Sequence, residues 1–276
     1  MPEWVVESSQ LSDVGQKRKH NEDYVGLHEP NRIADLEAYG RLYVLADGVG
    51  GAAAGDIASQ YTVNKVIYIY YQGHAGDDPS TRLRQAIEEA NADIFAQNRE
   101  RSNHREMATT VVAAVIRGDE LIVANVGDSR AYSIRGDTIE QITEDHSLMA
   151  EMIGDGVITE DQAATHPYRN VILRSVGAYE MVQVDLFVRQ VAPDDIFLLC
   201  SDGLTQVVNN QELVDIARAH PPAEAAHRLV ALANERGGDD NISVSITYIA
   251  HEQIQGDIPG TDQLPDMPCW EDFQHS

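Results

Sequence analysis

Leu42-Tyr43-Val44-Leu45-Ala46-Asp47-Gly48-Val49-Gly50-Gly51 passes from an apolar run into an acid and then into glycines. The run reads as a buried strand, and an ionised carboxylate at the end of one is costly unless something positive meets it. The glycine beside it lets backbone or ligand approach closely. The same pattern recurs along the chain. Asp128 follows Leu121-Ile122-Val123-Ala124-Asn125-Val126-Gly127, Asp202 follows Ile196-Phe197-Leu198-Leu199-Cys200-Ser201, and Asp240 precedes Asn241-Ile242-Ser243-Val244. Taken singly, each is ordinary Asp-Gly or Asp-Asn turn chemistry. Taken together, acids converging from separate strand ends describe an oxygen-rich cage for a hard divalent cation, Mg²⁺ or Mn²⁺.

Outward from this stretch, strands are predicted at 4–7, 23–27 and 41–46. Helices are predicted at 53–71 and again after Pro79, where Leu83, Ile87, Ala90 and Ile94 share one face. Strands at 109–116 and 120–125 flank Arg117-Gly118-Asp119, and strands at 130–135 and 138–142 flank Gly136-Asp137, as in consecutive hairpins. Residues 145–170 break the rhythm and read as a flap. Strands follow at 172–176, 182–188 and 196–200, then helices at 211–219 and 223–235, then a strand at 242–249. Hairpin-rich strands with paired helices indicate an α+β fold of antiparallel sheets covered by helices. A single body is expected over 1–250. Beyond it, 251–276 carries Glu252, Asp257, Asp262, Asp266, Glu271 and Asp272, three prolines and no Lys or Arg, and is expected to be a disordered acidic tail.

The balance of 20 Lys plus Arg against 45 Asp plus Glu gives a formal charge of −25. That argues against nucleic acid and against an anionic membrane surface, both of which need clustered basic residues. Cys200 sits in an apolar strand and Cys269 in the tail; no CxxC occurs, so neither zinc nor a disulfide framework is indicated. No signal peptide or membrane span is evident, and a cytoplasmic monomer is expected.

Arg18-Lys19-His20-Asn21-Glu22-Asp23 places a guanidinium able to fork onto phosphate beside acids able to reach a cation. As a charge run it is also the composition of a solvated loop. Gly48-Val49-Gly50-Gly51-Ala52-Ala53 fits the dinucleotide fingerprint G-x-G-x-x-A, but the acid required about 20 residues later is missing. No G-x-S-x-G, P-loop or H-E-x-x-H occurs. His146 and His166, in the flap, are candidates to touch substrate, although a lone loop histidine is more often a surface residue.

Arg18-x-x-Asn21-Glu22-Asp23, Asp47-Gly48-x-Gly50-Gly51, Met107-Ala108-Thr109-Thr110, Gly127-Asp128-Ser129-Arg130, Ser201-Asp202-Gly203-Leu204 and Asp240-Asn241-Ile242-Ser243-Val244 occur in that order. Over about residues 5–250 the chain resembles the metal-dependent protein phosphatases of the protein phosphatase 2C type, in their short bacterial form. The resemblance implies a four-layer αββα sandwich, two antiparallel sheets flanked by helix pairs. It implies that Asp47 bridges two Mn²⁺ or Mg²⁺ ions, with Asp202 and Asp240 completing one shell. The Gly48 carbonyl, Glu22 and Asp23 would complete the other, and Asp128 with Asp202 would hold a third, looser ion. Two such ions acidify a bridging water to hydroxide and stabilise phosphoryl charge, while Arg18 clamps the phosphate. The flap resembles that of the bacterial members, and His146 and Arg169 are expected to meet substrate.

The implied activity is hydrolysis of phosphoserine and phosphothreonine in phosphoproteins, opposing a cognate serine/threonine kinase in signal transduction. The alternative is a non-catalytic pseudophosphatase that binds phosphoprotein. Two departures from the family pattern stand out. Val49 occupies the place where eukaryotic members usually carry a histidine proposed as general acid, and Ala108 replaces a usual glycine.

Overall fold

The computed structural model describes residues 4–49, 54–100, 107–253, 264–266 and 269–270. Gly50 and Gly51, and most of the expected tail, lie outside the described residues.

The chain order is β1 (Trp4–Asp13), β2 (Asp23–His28), α1 (Ile33–Tyr39), β3 (Arg41–Val49), α2 (Gly55–Gln72) and α3 (Pro79–Glu100). Next come β4 (Ala108–Thr109), β5 (Val111–Arg117), β6 (Glu120–Val126), β7 (Arg130–Arg135) and β8 (Thr138–Gln141). The flap carries α4 (Leu148–Gly154) and α5 (Glu160–Ala164). Then follow β9 (Asp185–Gln190), β10 (Ile196–Cys200), α6 (Asp202–Thr205), α7 (Asn210–Ala219), α8 (Pro222–Glu235) and β11 (Ile242–Gln253). One sheet has the order β1-β11-β10-β7-β8; the other runs β2-β3-β5-β6-β9, with β4 pairing β3 at its side.

The alternation of side chains along each strand shows why the layers stack as they do. In β3, Leu42, Val44 and Ala46 face α2 and α3 in one core, while Tyr43 and Leu45 face the other sheet. In β10, Ile196, Leu198 and Cys200 face α7 and α8, while Phe197 and Leu199 point between the sheets. Strands buried on both faces read as continuous apolar runs because both their neighbours are apolar layers. The result is helices, sheet, sheet, helices, the αββα architecture expected from the sequence.

Local differences are informative. The strand expected at 172–176 is absent. Val176 and Ile172 make only isolated bridges, to Thr109 and Ser147, and Gly177 at φ 89° turns the chain away. The strand expected at 182–188 forms instead at Asp185–Gln190, where it pairs with β6. The boundary expected at 250 falls within β11, which continues to Gln253. Of the expected tail, Leu264 and Trp270 pack against the core beneath α2 and α3.

Candidate metal centre

The acids singled out in the sequence come together at one edge of the two sheets. Asp47 in β3 lies directly across from Asp23, the first residue of β2, in the antiparallel register. The Asp47 backbone is held from both sides. Its N–H donates to Thr110 Oγ1 at 3.0 Å, and its carbonyl accepts from Thr110 N and Thr109 Oγ1, each at 2.8 Å. Thr110 is tied in turn to Ser129 at 2.7 Å, one residue past Asp128. The Met-Ala-Thr-Thr segment is thus a clamp on the backbone that carries Asp47.

Gly48 is required sterically. A Cβ there would stand 2.2 Å from the Gly55 carbonyl oxygen and 2.6 Å from that of Glu22. Its N–H donates to the Glu22 carbonyl at 3.0 Å, so the start of α2, the β3 end and the Glu22 loop close on one another. Asn241 organises the far wall. Its Oδ1 accepts from Glu22 N at 2.8 Å and its Nδ2 donates to the Val14 and His20 carbonyls, each at 3.0 Å.

Glu22 and Asp23 are buried, and Asp47, Asp128, Asp202 and Asp240 are half-buried around them. Burial pushes the Asp23 carboxyl up to about 7, against Ser243 and Ser201 hydrogen bonds that favour its charged form, with Asp202 and Asp240 adding to the rise. Burial likewise raises Asp47 well above the carboxylate range, reinforced by Asp23, Asp202, Asp128 and Asp240. Asp128 rises to about 7 from burial and from Asp202. Asp202 is raised by burial and by Asp240, against Gln206 and Asp47 side chains that favour its charged form. Like charges raise one another's pKa in this way when no cation separates them.

Among the described residues no three acids, histidines or cysteines stand as a finished coordination shell. They are held in pairs with local donors instead. Arg18 Nη2 reaches Asp240 Oδ2 at 2.7 Å, Gln206 Nε2 reaches Asp202 Oδ2 at 2.7 Å, and Ser201 Oγ reaches Asp23 Oδ2 at 2.8 Å. Among the described residues, Asp23 Oδ1 and Asp202 Oδ1 are buried with no hydrogen-bond donor. Two orphaned carboxylate oxygens in an all-oxygen setting suit hard divalent cations, which would supply the partners these oxygens lack.

Asp128 sits in the β6–β7 turn, made possible by Gly127 at φ 114°. His146 is placed behind that turn, not in the open site. Its Nδ1 accepts from Gly127 N at 3.0 Å, and its Nε2 lies 3.0 Å from Asp185 Oδ2. Both ring nitrogens are therefore engaged within the protein, and neither is presented to a substrate. Arg174 Nη1 joins the group at 2.8 Å from Asp185 Oδ1. Arg169 is exposed on the flap, and His166 lies near it, accepting at Nδ1 from Tyr168 N at 3.2 Å. The supports supplied by Thr109, Thr110, Ser201, Asn241 and Arg174 were not assigned roles from the sequence. Four of them lie within the ordered motifs, which is the signal that marks them.

The family model described as Protein phosphatase 2C matches residues 16–234. The serine/threonine phosphatase stp of Listeria welshimeri is 37% identical over 237 residues, covering 84% of this chain and 92% of that protein. The solved serine/threonine phosphatase of S. agalactiae superposes with a TM-score of 0.81 at 34% identity, over 89% of this chain and 100% of the other. The catalytic domain of the phosphatase PstP, solved in complex with 2 manganese ions, gives a TM-score of 0.77 at 32% identity, over 89% and 99%. Family model, sequence relatives and architecture agree over nearly the whole folded body, and the chain belongs to the protein phosphatase 2C family.

Proposed function

We propose that this site hydrolyses phosphoserine and phosphothreonine esters of proteins with Mn²⁺ or Mg²⁺. The observation that carries the reading is the convergence of Asp23, Asp47, Asp128 and Asp202, each with its pKa raised by burial and by other acids of the group, with two carboxylate oxygens lacking donors. Asp47, Asp202 and Asp240 would hold one ion, and Asp47, the Gly48 carbonyl, Glu22 and Asp23 the other. Asp128 with Asp202 would serve a third. Ions held there supply Lewis acidity toward water and phosphoryl oxygens.

The chain's own residues do the rest. Arg18 stands at the mouth with its side chain 46% exposed, paired to Asp240. A guanidinium so placed would be able to fork onto a phosphate dianion entering the site. The Thr109–Thr110 clamp and Asn241 hold Asp47 and Glu22 in fixed relation, so little reorganisation is needed when charge develops. Val49 offers no proton to the leaving alkoxide. The pseudophosphatase alternative is not favoured, because every acid of the set and Arg18 are in place.

Phosphoprotein substrates follow from this chemistry, and a cognate serine/threonine kinase would supply them. A cytoplasmic, monomeric enzyme is part of this proposal; no described helix is long and apolar enough to cross a membrane. The test is release of inorganic phosphate from phosphoserine and phosphothreonine peptides with Mn²⁺ and with chelator. Release that Mn²⁺ elicits and chelator abolishes supports the reading; equal release in both, or none, overturns it.

A further inference from the structure

Among the described residues β2 is an edge strand, paired only with β3, and an unprotected edge invites another chain. Between this edge and α2 lies a groove lined on the body side by Tyr24, Val25, Gly26, Leu27, Asn64 and Ile67, of which about 810 Å³ stays open beneath the segment that covers it. Its outer wall is Leu264-Pro265-Asp266 of the chain itself. A few residues further on, Trp270 stacks on Tyr61 of α2, with ring centroids 4.0 Å apart and planes at 15°. Tyr61 is 2% exposed and presents a fixed ring, because its hydroxyl donates to Asp93 Oδ2 at 2.6 Å, where Lys65 also pairs at 2.9 Å. Leu264 and Trp270 both join the core formed by α2, α3 and their sheet.

We propose that the β2–α2 groove is a peptide-docking site whose ligand is the chain's own C-terminal segment around Leu264–Asp266 and Cys269–Trp270. Three features favour this occupant. Leu264 follows Gln253, the end of β11, by 11 positions, a tether that spans up to roughly 35 Å. Tethering raises the local concentration of a weak ligand to about the millimolar range. A proline next to an apolar anchor costs little conformational entropy on docking, and a flat aromatic stack supplies the second anchor.

The docked segment also bears on the reacting end of the molecule. Tyr61 is six residues into α2 from Gly55, about 9 Å along its axis. At Gly55 the helix abuts Gly48 and Glu22 so closely that a Cβ would lie 3.0 Å from the Gly48 oxygen and 3.1 Å from Glu22 Cδ. Occupancy of the groove therefore steadies the helix that backs the metal turn. The proposal is independent of which reaction the site performs.

The chain contains 2 tryptophans, Trp4 and Trp270, so the full-length Trp4→Phe protein reports on Trp270 alone. Its emission is expected to be blue-shifted from that of a synthetic peptide of residues 261–276; identical spectra would overturn the proposal. In the full-length Trp4→Phe/Trp270→Ala protein, which has no tryptophan of its own, that peptide is expected to bind saturably with a blue shift. A Trp270→Ala peptide, carrying an extrinsic dye, is expected not to bind. No saturable binding of the native peptide at about millimolar concentration, or equal binding of the two peptides when both carry the dye, would refute docking through Trp270. Amide exchange of the first turns of α2 is expected to quicken in Trp270→Ala, and unchanged exchange there refutes the coupling to the helix.

Discussion

Asp23 and Asp47 are direct cross-strand partners in the β2–β3 ladder. Like charges placed opposite each other in an antiparallel pair destabilise it, and here both carboxyls are pushed upward by burial and by their acidic neighbours. A sheet that places two aspartates face to face at its end is poorly designed for stability alone. It is well suited to a cation that converts the repulsion into a shared ligand set.

Turnover is the first consequence. Asp47→Asn and Asp202→Asn each remove one charge from the set while keeping size, so folding should survive and cation binding should not. With saturating Mn²⁺, hydrolysis of a small phosphate ester should fall by on the order of 100-fold or more, about 2.7 kcal/mol of transition-state stabilisation. Near-parental kcat in both variants would remove the acids from the reaction.

Stability against pH is the second. The folded-state pKa values of Asp23 and Asp128 are raised from 3.8 to about 7. The folded chain therefore binds more protons than the unfolded chain between these values, and metal-free stability should fall as pH rises from about 4 through about 7. Mn²⁺ replaces the bound protons and should flatten or reverse that slope. The check is Tm across this range with chelator and with Mn²⁺; parallel curves would contradict it.

Arg18 and Asp240 give a third. Their 2.7 Å pair is partly exposed, with side chains 46% and 25% accessible, so breaking it costs little. Arg18→Ala should leave Tm nearly unchanged yet lower kcat/KM on phosphopeptide about 10–100-fold, roughly 1.4–2.7 kcal/mol. An unchanged kcat/KM would make Arg18 only a lid on Asp240.

Asp128 gives a fourth. It stands in a glycine-enabled turn and shares Asp202 with the main set. Asp128→Ala should keep the two tighter Mn²⁺ equivalents in calorimetry while slowing phosphopeptide turnover. Parental turnover would return it to a turn residue.

Much of this was legible in the chain because Asp47, Asp128 and Asp202 close apolar strands and Asp240 precedes one, and strand ends are easy to locate from period and composition. The motif order then joined positions that composition could not. What escaped depends on contacts distant in sequence. Ser201 reaches Asp23 across 178 positions, and Asn241 reaches Glu22 across 219; the ordered motifs mark both residues, but nothing local in the sequence shows which acid each one supports. α6 is four residues long and contains Gly203, so it reads as a turn. α1 has no side-chain cap and is seven residues long, with Ile33, Leu36 and Tyr39 too few to set a clear period. The false strand at 172–176 has the right apolar content, but the flap gives it no continuous partner.

His146 is where the sequence named the residue and the structure changed its part. Because Nδ1 accepts from Gly127 N, the neutral ring carries its proton on Nε2 and donates to Asp185. Protonation of Nδ1 would abolish the bond to Gly127, the residue that sets the Asp128 turn. Burial lowers the pKa of the ring from 6.5, Arg174 adds to the fall, and Asp185 and Asp145 oppose it. With the folded value depressed, the contribution of the neutral ring is present above the unfolded value and is lost as pH falls through the folded one. The flap base, where His146 N donates to the Gly127 carbonyl and Leu173 N to that of His146, should therefore loosen in mild acid. Amide exchange across Leu148–Gly154, corrected for intrinsic rates, should show greater opening at about pH 5 than at about pH 8. His146→Asn should open the flap at both values and remove most of the pH dependence. A variant that keeps the parental profile would assign the flap's response to another group.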